Sequence, residues 1–401
     1  MTLVKLWRMV TYHAGSGRRL ASTLGPIAAD TFAGLFHHYR PQRPPESYAP
    51  GADAGTLLRS RPIPAVGLRG RQSATSFDYV TTDSRGRELV ASGALFRSGR
   101  PGPLIGFAPS TQGVARHCNP SYSCSVGLRG FWPPDFIAAY EQPAINWFLD
   151  AGADVVIIDY PRDPVHNVQL YCDHLAGANA LADAVSVARH LGADGTLGLW
   201  GFSQGGGAVG AYLEQDAGER PVAAVVGAPP ARLDDVLDHV DGSLVAGVIA
   251  YTVAGLMVCD DDIRAEISGQ LTQHGQQQLD ANLATCTGGS LLISGWHNTS
   301  TWTTSGKTLG EVVDDFPAVS AEIDRRHLGT REPEVPVRLW GSLHDDVIPF
   351  PMIERLHRDW PGAEWHPRRM RRVPGRTGLN HFGPYFQWLG DDSAWLLSHL
   401  R

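Results

Sequence analysis

Apolar and polar positions along the chain change rhythm several times. Residues 76–82, Ser-Phe-Asp-Tyr-Val-Thr-Thr, alternate as a half-buried strand does. Asp83-Ser84-Arg85-Gly86 is turn chemistry, and residues 89–96 return as a second strand. A hairpin is predicted there. Short apolar runs follow at residues 103–108, 154–160, 196–201, 222–226 and 335–340. The run Asp-Val-Val-Ile-Ile-Asp-Tyr at 154–160 is continuous in β-branched residues, as strands covered on both faces are. Helical spacing separates these runs. It is seen at residues 143–149 and again at 176–191, where Ala178, Leu181, Val185 and Ala188 form one stripe. Strands alternating with crossover helices predict an α/β fold, a mostly parallel sheet with helices on both faces.

Two segments depart from this rhythm. Residues 1–75 are rich in Pro, Gly and Arg, as in Pro41-Gln42-Arg43-Pro44-Pro45, and predict an extended arm. Within it, Lys5, Arg8, Arg18 and Arg19 precede a mildly apolar stretch at 20–29 that Ser22, Thr23 and Pro26 interrupt, so it is a poor signal peptide. Residues 228–332 read as mostly helical, with a Ser/Thr-rich loop at 298–305 that contains the sequon Asn298-Thr299-Ser300. The chain thus divides into an arm (1–75), a first core part (76–227), a helical lid or cap insertion (228–332) and a second core part (333–401). The longest apolar run, 244–259, is broken by Gly247, Thr252 and Gly255. It falls short of the roughly 20 residues of a membrane-spanning helix.

Composition narrows the function classes. The 401 residues are 43% hydrophobic, enough for a large core, and carry a formal net charge of -7 that offers nothing general to nucleic acid. The densest basic run, Arg368 to Arg372, reads as a solvated strand edge. Cys118, Cys124, Cys172, Cys259 and Cys286 contain no CxxC pair and no Cys/His cluster of zinc spacing, so no metal site is expected.

The chemistry centres on Gly201-Phe202-Ser203-Gln204-Gly205. This G-x-S-x-G stands between a predicted strand and a predicted helix with no loop between. So tight a turn strains the serine backbone and requires small neighbours, which Gly201, Gly205 and Gly206 supply. A serine hydroxyl is a weak nucleophile and needs a base held by an acid, in the chain order Ser, acid, His. Residues 337–346 form a strand and then a loop bearing Asp345 and Asp346, and the residues alone do not choose between them. His344 is too close in sequence to Asp345, and His366 lies in a predicted strand. His381 lies after the last strand and before a final helix. One oxyanion donor is the N–H of Gln204, and the other is expected from Ser110 or Thr111, after the strand at 103–108.

Together with Thr111-Gln112-Gly113, Cys118-Asn119-Pro120-Ser121, Gly201 through Gly207, and Asp345-Asp346-Val347-Ile348-Pro349, the chain resembles the secretory lipase family of the α/β-hydrolase fold. The similarity runs from about Asp30 to the carboxyl terminus. The resemblance implies Asp345 rather than Asp346 as the acid, a Cys118–Cys286 disulfide, and secretion or an envelope location. It also implies that the helical insertion forms a lid and acyl pocket, for which Leu244, Val245, Val248, Ile249, Val253 and Leu256 are the candidates. Two departures stand by the oxyanion loop, where relatives carry His-Gly and an acid and this chain carries Pro109-Ser110 and Arg116. The expected activity is hydrolysis of carboxylic esters, triacylglycerols or other fatty acyl esters, with no cofactor, no nucleic acid partner and transient contact with lipid surfaces. The alternatives are acyl transfer on the same triad and a catalytically inactive lipid-binding relative.

Overall fold

In the structure, a computed structural model that describes residues 23–32, 51–132 and 134–401, the apolar runs assemble into one nine-stranded sheet and a small hairpin. In chain order the strands are β1 (Leu57–Ile63), β2 (Ser73–Thr82), β3 (Glu88–Arg97), β4 (Leu104–Ala108), β5 (Leu128–Phe131), β6 (Asp135–Ala138), β7 (Asp154–Asp159), β8 (Leu197–Phe202), β9 (Ala223–Gly227), β10 (Val337–Ser342) and β11 (Glu364–Arg368). The sheet order is β1-β2-β3-β7-β4-β8-β9-β10-β11, with β5 and β6 paired separately. From β1 to β7 neighbours are antiparallel. From β7 to β11 every pair is parallel. The sheet is therefore mostly parallel, as the continuous apolar runs require.

Helices cover both faces. A Cβ on Gly106 of β4 would meet Leu199, Val185 and Leu181, the last two from the helix His174–His190. One on Gly198 of β8 would meet Leu396 and Leu400, at the end of the final helix Leu379–His399. Positions 198 and 199 point to opposite faces of the strand, so each face has its own helix. β4, β7, β8 and β9 are buried at every position.

Between β9 and β10 the chain is helical, from Leu233–Val240 and Gly247–Met257 through Thr287–Ser294 to Pro317–Asp324. These helices are tied back to the β2–β3 turn by Arg85, which reaches Asp260 at 3.3 Å and Glu322 at 3.0 Å. In the sequon, the Thr299 N–H donates to Asp241 at 3.0 Å, and Asn298 Oδ1 accepts the Ser300 N–H at 2.9 Å. The sequon thus also closes a local turn. Among the described residues no helix is long and apolar enough to cross a membrane.

Two expectations change, and a third segment is placed in part. The arm contains β1, which pairs with β2 as an edge strand; such a strand tolerates Pro62, whose neighbours need not all be laddered. Of the 20–29 stretch, residues 23–29 fall in a helix over residues 23–32, whose Ile27 packs with Val66 and Ala139. Residues 1–22 and the Pro41–Pro45 run lie outside the described residues. Arg368 is not a solvated residue. Its guanidinium is buried 3.6 Å from the Trp340 ring centroid and paired with Asp392, while Arg369, Arg371 and Arg372 are exposed.

Candidate active site

Ser203 stands where β8 meets the helix Gln204–Gln215. Its φ of 55° and ψ of -122° lie in a region that a non-glycine residue adopts only under constraint. The constraint is the closeness of the turn. A Cβ on Gly201 would come within 2.2 Å of the Gly205 carbonyl oxygen, and one on Gly205 within 2.0 Å of the Ala108 carbonyl oxygen. The Ser203 N–H donates to the Gly227 carbonyl at 2.8 Å, locking the turn to β9.

Asp345, in the loop after β10, meets His381, which lies in the first turn of the final helix Leu379–His399 rather than in the loop before it. His381 Nδ1 is 2.8 Å from Asp345 Oδ2, while Asp345 Oδ1 accepts the N–H groups of Val347 and Ile348 at 2.9 and 2.8 Å. Both side chains are buried. His381 Nε2 is buried and has no hydrogen-bond partner among the described residues. Asp346 is engaged elsewhere, accepting the Gly378 N–H at 3.0 Å and the Asn380 amide at 3.1 Å, so it pins the start of the helix that carries His381. Below the imidazole, Phe202 stacks at 4.6 Å between centroids, and Tyr385 stacks on Phe202 at 4.4 Å. The ring of His381 is thus held from its Nδ1 edge and from one face. His344 is exposed, and His366 lies 2.5 Å from Glu364 on β11, away from this cluster.

The oxyanion candidates separate. Ser110 does not reach the cavity, because its N–H and its hydroxyl both donate to Glu141 Oε1, at 2.7 and 2.5 Å. Thr111 lines the cavity with Ser203 and Gln204. Its carbonyl is held by the Tyr140 hydroxyl and its Oγ1 lies 2.7 Å from the Tyr171 hydroxyl, whereas its N–H has no partner among the described residues. Gln204 is the first residue of its helix, where the N–H has no intrahelical acceptor. Two unpartnered N–H groups thus sit beside one serine.

The cavity they line measures about 40 Å³. That holds a few waters, against roughly 300–1,000 Å³ for occupied ligand sites, so this conformation is closed. Its floor includes Thr111, Ser203 and His381, and its roof includes Leu233, Val236, Val245, Val248, Thr252 and Thr287 from the helical insertion. Of the six apolar candidates, Val245 and Val248 line it. Leu244, Ile249, Val253 and Leu256 do not; Val245 precedes the helix Gly247–Met257, and Val248 and Thr252 stand one turn apart on it. A larger cleft of about 620 Å³ lies between Arg85, Asp260 and Glu322, where the charged groups pair with one another.

A disulfide joins Cys118 to Cys286 across 168 residues. It ties the loop after β4 to the start of the helix Thr287–Ser294, where the Thr287 N–H donates to the Gln112 carbonyl at 3.0 Å. The disulfide sulfurs, His117 and Asp135 cluster as metal donors do, but both sulfurs are bonded to each other. Cys124, Cys172 and Cys259 are free and buried. Cys172 lines the cavity, and burial pushes its thiol up to about 12, so it is not the thiolate nucleophile. Sequence reasoning missed Glu141 and Tyr385 as neighbours of the site and the role of Phe202, although Phe202 stands inside the Ser203 motif and Tyr385 four residues after His381 on one helix; Glu141 alone reaches the site only through the fold.

Comparison with known proteins bears on the family and the fold. The family profile described as Secretory lipase matches residues 136–374. A Mycobacterium tuberculosis protein described as a "probable inactive lipase" is 25% identical over 342 residues, 78% of this chain and 72% of that protein. A secreted triacylglycerol lipase of Malassezia globosa is 23% identical, over 76% of this chain and 67% of that protein. Candida antarctica lipase A in its closed state superposes with a TM-score of 0.69 at 18% identity, covering 85% of this chain and 83% of that one. A rice cell wall degrading esterase from Xanthomonas oryzae gives 0.69 at 18% identity, covering 87% and 100%. These structures share the α/β-hydrolase architecture, and with the profile spanning more than half of its length, the chain belongs to the secretory lipase family.

Proposed function

We propose that the protein is a lipase-type carboxylic ester hydrolase working through an acyl-enzyme on Ser203, His381 and Asp345. The observation that carries this is the state of the imidazole. His381 is bonded to Asp345 through Nδ1, and its Nε2, buried and unpartnered, belongs to the same cavity wall as Ser203. His381 takes the proton of Ser203 as its Oγ attacks the ester carbonyl, and Asp345 keeps the ring in the right tautomer and stabilises the imidazolium. The N–H groups of Gln204 and Thr111 receive the oxyanion. His381 returns the proton to the leaving alcohol, then activates water to cleave the acyl-enzyme.

The apolar roof of Leu233, Val236, Val245 and Val248 favours a fatty acyl chain, as in triacylglycerols. Because the cavity is too small for such a chain, the roof helices move when substrate enters. Exposed Trp132, Phe136 and Leu292 lie on the β5–β6 hairpin and the helix Thr287–Ser294 that packs against it. They supply an apolar contact for a lipid surface. Relatives named as secreted lipases, together with the disulfide, support a location outside the cytosol.

A second reading, a lipid-binding relative without turnover, is favoured by the mycobacterial protein described as inactive. Fluorophosphonate labelling separates the two. Labelling of the wild type that is lost in Ser203→Ala supports hydrolysis, and an unlabelled wild type overturns it. A p-nitrophenyl ester series then tests the acyl class, and cleavage of acetate alone rules out the fatty acyl reading. Product analysis with an added alcohol measures any transfer to acceptors other than water.

A further inference from the structure

We infer that Glu141 is a positioning residue for the oxyanion side of the site, holding Ser110 so that the N–H of Thr111 stays turned into the cavity. Glu141 precedes the helix Gln142–Asp150 and is 1% exposed. Among the described residues no cation pairs with it. Its carboxylate instead accepts the Ser110 N–H at 2.7 Å and the Ser110 hydroxyl at 2.5 Å on Oε1, and the Tyr385 hydroxyl at 2.7 Å on Oε2. Burial pushes the carboxyl above its ordinary range, and the Ser110 and Tyr385 hydrogen bonds draw it back. A buried carboxylate without a counter-ion is expensive to keep, so its placement calls for a reason.

The reason lies in the residues it connects. On one side it clamps Ser110 at two points, directly before Thr111. On the other it holds Tyr385, which stacks on Phe202, the residue before Ser203 and the ring under His381. The neighbouring Tyr140 holds the Thr111 carbonyl through its hydroxyl. Tyr140 and Glu141 therefore fix the peptide planes on either side of the Thr111 N–H. Ser110 offers a hydroxyl that Glu141 takes together with the backbone N–H.

The inference rests on the reading of Ser203 as nucleophile, and the test keeps the two apart. Glu141→Ala should lower kcat on a soluble ester about 10- to 100-fold, the effect of displacing a catalytic group by around an ångström, with KM little changed. Affinity for a trifluoromethyl ketone, whose hemiketal oxygen needs the same donors, should fall in parallel. Glu141→Gln keeps an acceptor for Ser110 and should restore most of kcat. If Glu141→Ala does not fold, Glu141→Asp replaces it; this keeps the charge but withdraws the acceptor by one methylene, and the same drop is expected. A wild type that fluorophosphonate labels, with kcat and ketone affinity unchanged in the folded variant, overturns the role of Glu141 alone. So does a loss of kcat that merely tracks the folded fraction. A wild type that does not label overturns both readings.

Discussion

Asp345 Oδ2 lies 2.8 Å from His381 Nδ1, and its other oxygen is taken by two backbone N–H groups, of Val347 and Ile348. The carboxylate is thus fixed in position before it meets the imidazole. Its sequence neighbour Asp346 holds the start of the helix of His381 through Gly378 and Asn380. Adjacent acids therefore do different work, and substitution separates them. Asp345→Asn should lower kcat about 10³- to 10⁴-fold with stability nearly intact, because the imidazole loses its orienting acceptor. Asp346→Ala leaves two donors unpaired and should cost about 1–3 kcal/mol in urea unfolding with a much smaller loss of kcat. Equal losses of kcat in the two variants would contradict this division.

The disulfide should matter for both stability and activity. It closes a loop of 168 residues and anchors the helix that begins at Thr287, a cavity residue. A paired Cys118→Ser and Cys286→Ser variant is expected to lose about 2–5 kcal/mol. Calorimetry with and without dithiothreitol measures this. A melting temperature indifferent to reduction would refute it.

His174 predicts how stability responds to acid. Burial pushes its imidazole down to about 4, although the Pro230 carbonyl accepts from Nε2 at 2.9 Å. The unfolded chain titrates near 6.5, so between that pH and about 4 the unfolded state holds a proton that the folded state lacks. Folding stability should fall by about 3 kcal/mol as the pH drops through this window, and then level off. His174→Gln should flatten that slope in pH-dependent urea titrations. A slope unchanged by the substitution would assign it to other groups.

Glu322 acts at lower pH. Burial pushes its carboxyl up, but Arg326, Arg325 and Arg85 pull it down to about 2. Its folded value is depressed, so its contribution is present above the usual carboxylate range near 4.3 and is lost as the pH falls toward 2. Since Arg85 stands on the β2–β3 turn, the helical insertion should loosen first in acid. Hydrogen exchange at pH 3 would show faster exchange in residues 317–324 than in β8. Equal protection in both would exclude this order.

Trp132 is 88% exposed and Leu292 is 66% exposed. Trp132→Ser and Leu292→Ser should each weaken partition onto phosphatidylcholine vesicles by about ten-fold, the worth of one buried apolar side chain, and leave turnover of a soluble ester unchanged. Vesicle sedimentation tests this, and undiminished partition of the double variant would count against the surface contact.

What the sequence determined by itself is local or periodic. The continuous apolar runs demanded a sheet covered on both faces. The glycines around Ser203 demanded a turn too tight for side chains, because backbone sterics act between near neighbours. Family register distinguished Asp345 from Asp346, where the residues alone left both open. The tertiary structure decided what depends on direction in space. Val245, Val248 and Thr252 line the cavity while Ile249, Val253 and Leu256 do not, a distinction that an almost uniformly apolar segment cannot encode. Arg368 is buried because Trp340 and Asp392 come to it from distant strand and helix positions. Ser110 has its N–H and hydroxyl taken by Glu141, 31 residues on, and it is Thr111, not Ser110, that lies at the cavity wall. Neither residue announces that contact locally, since a hydrogen bond between separate elements exists only once the sheet has brought them together.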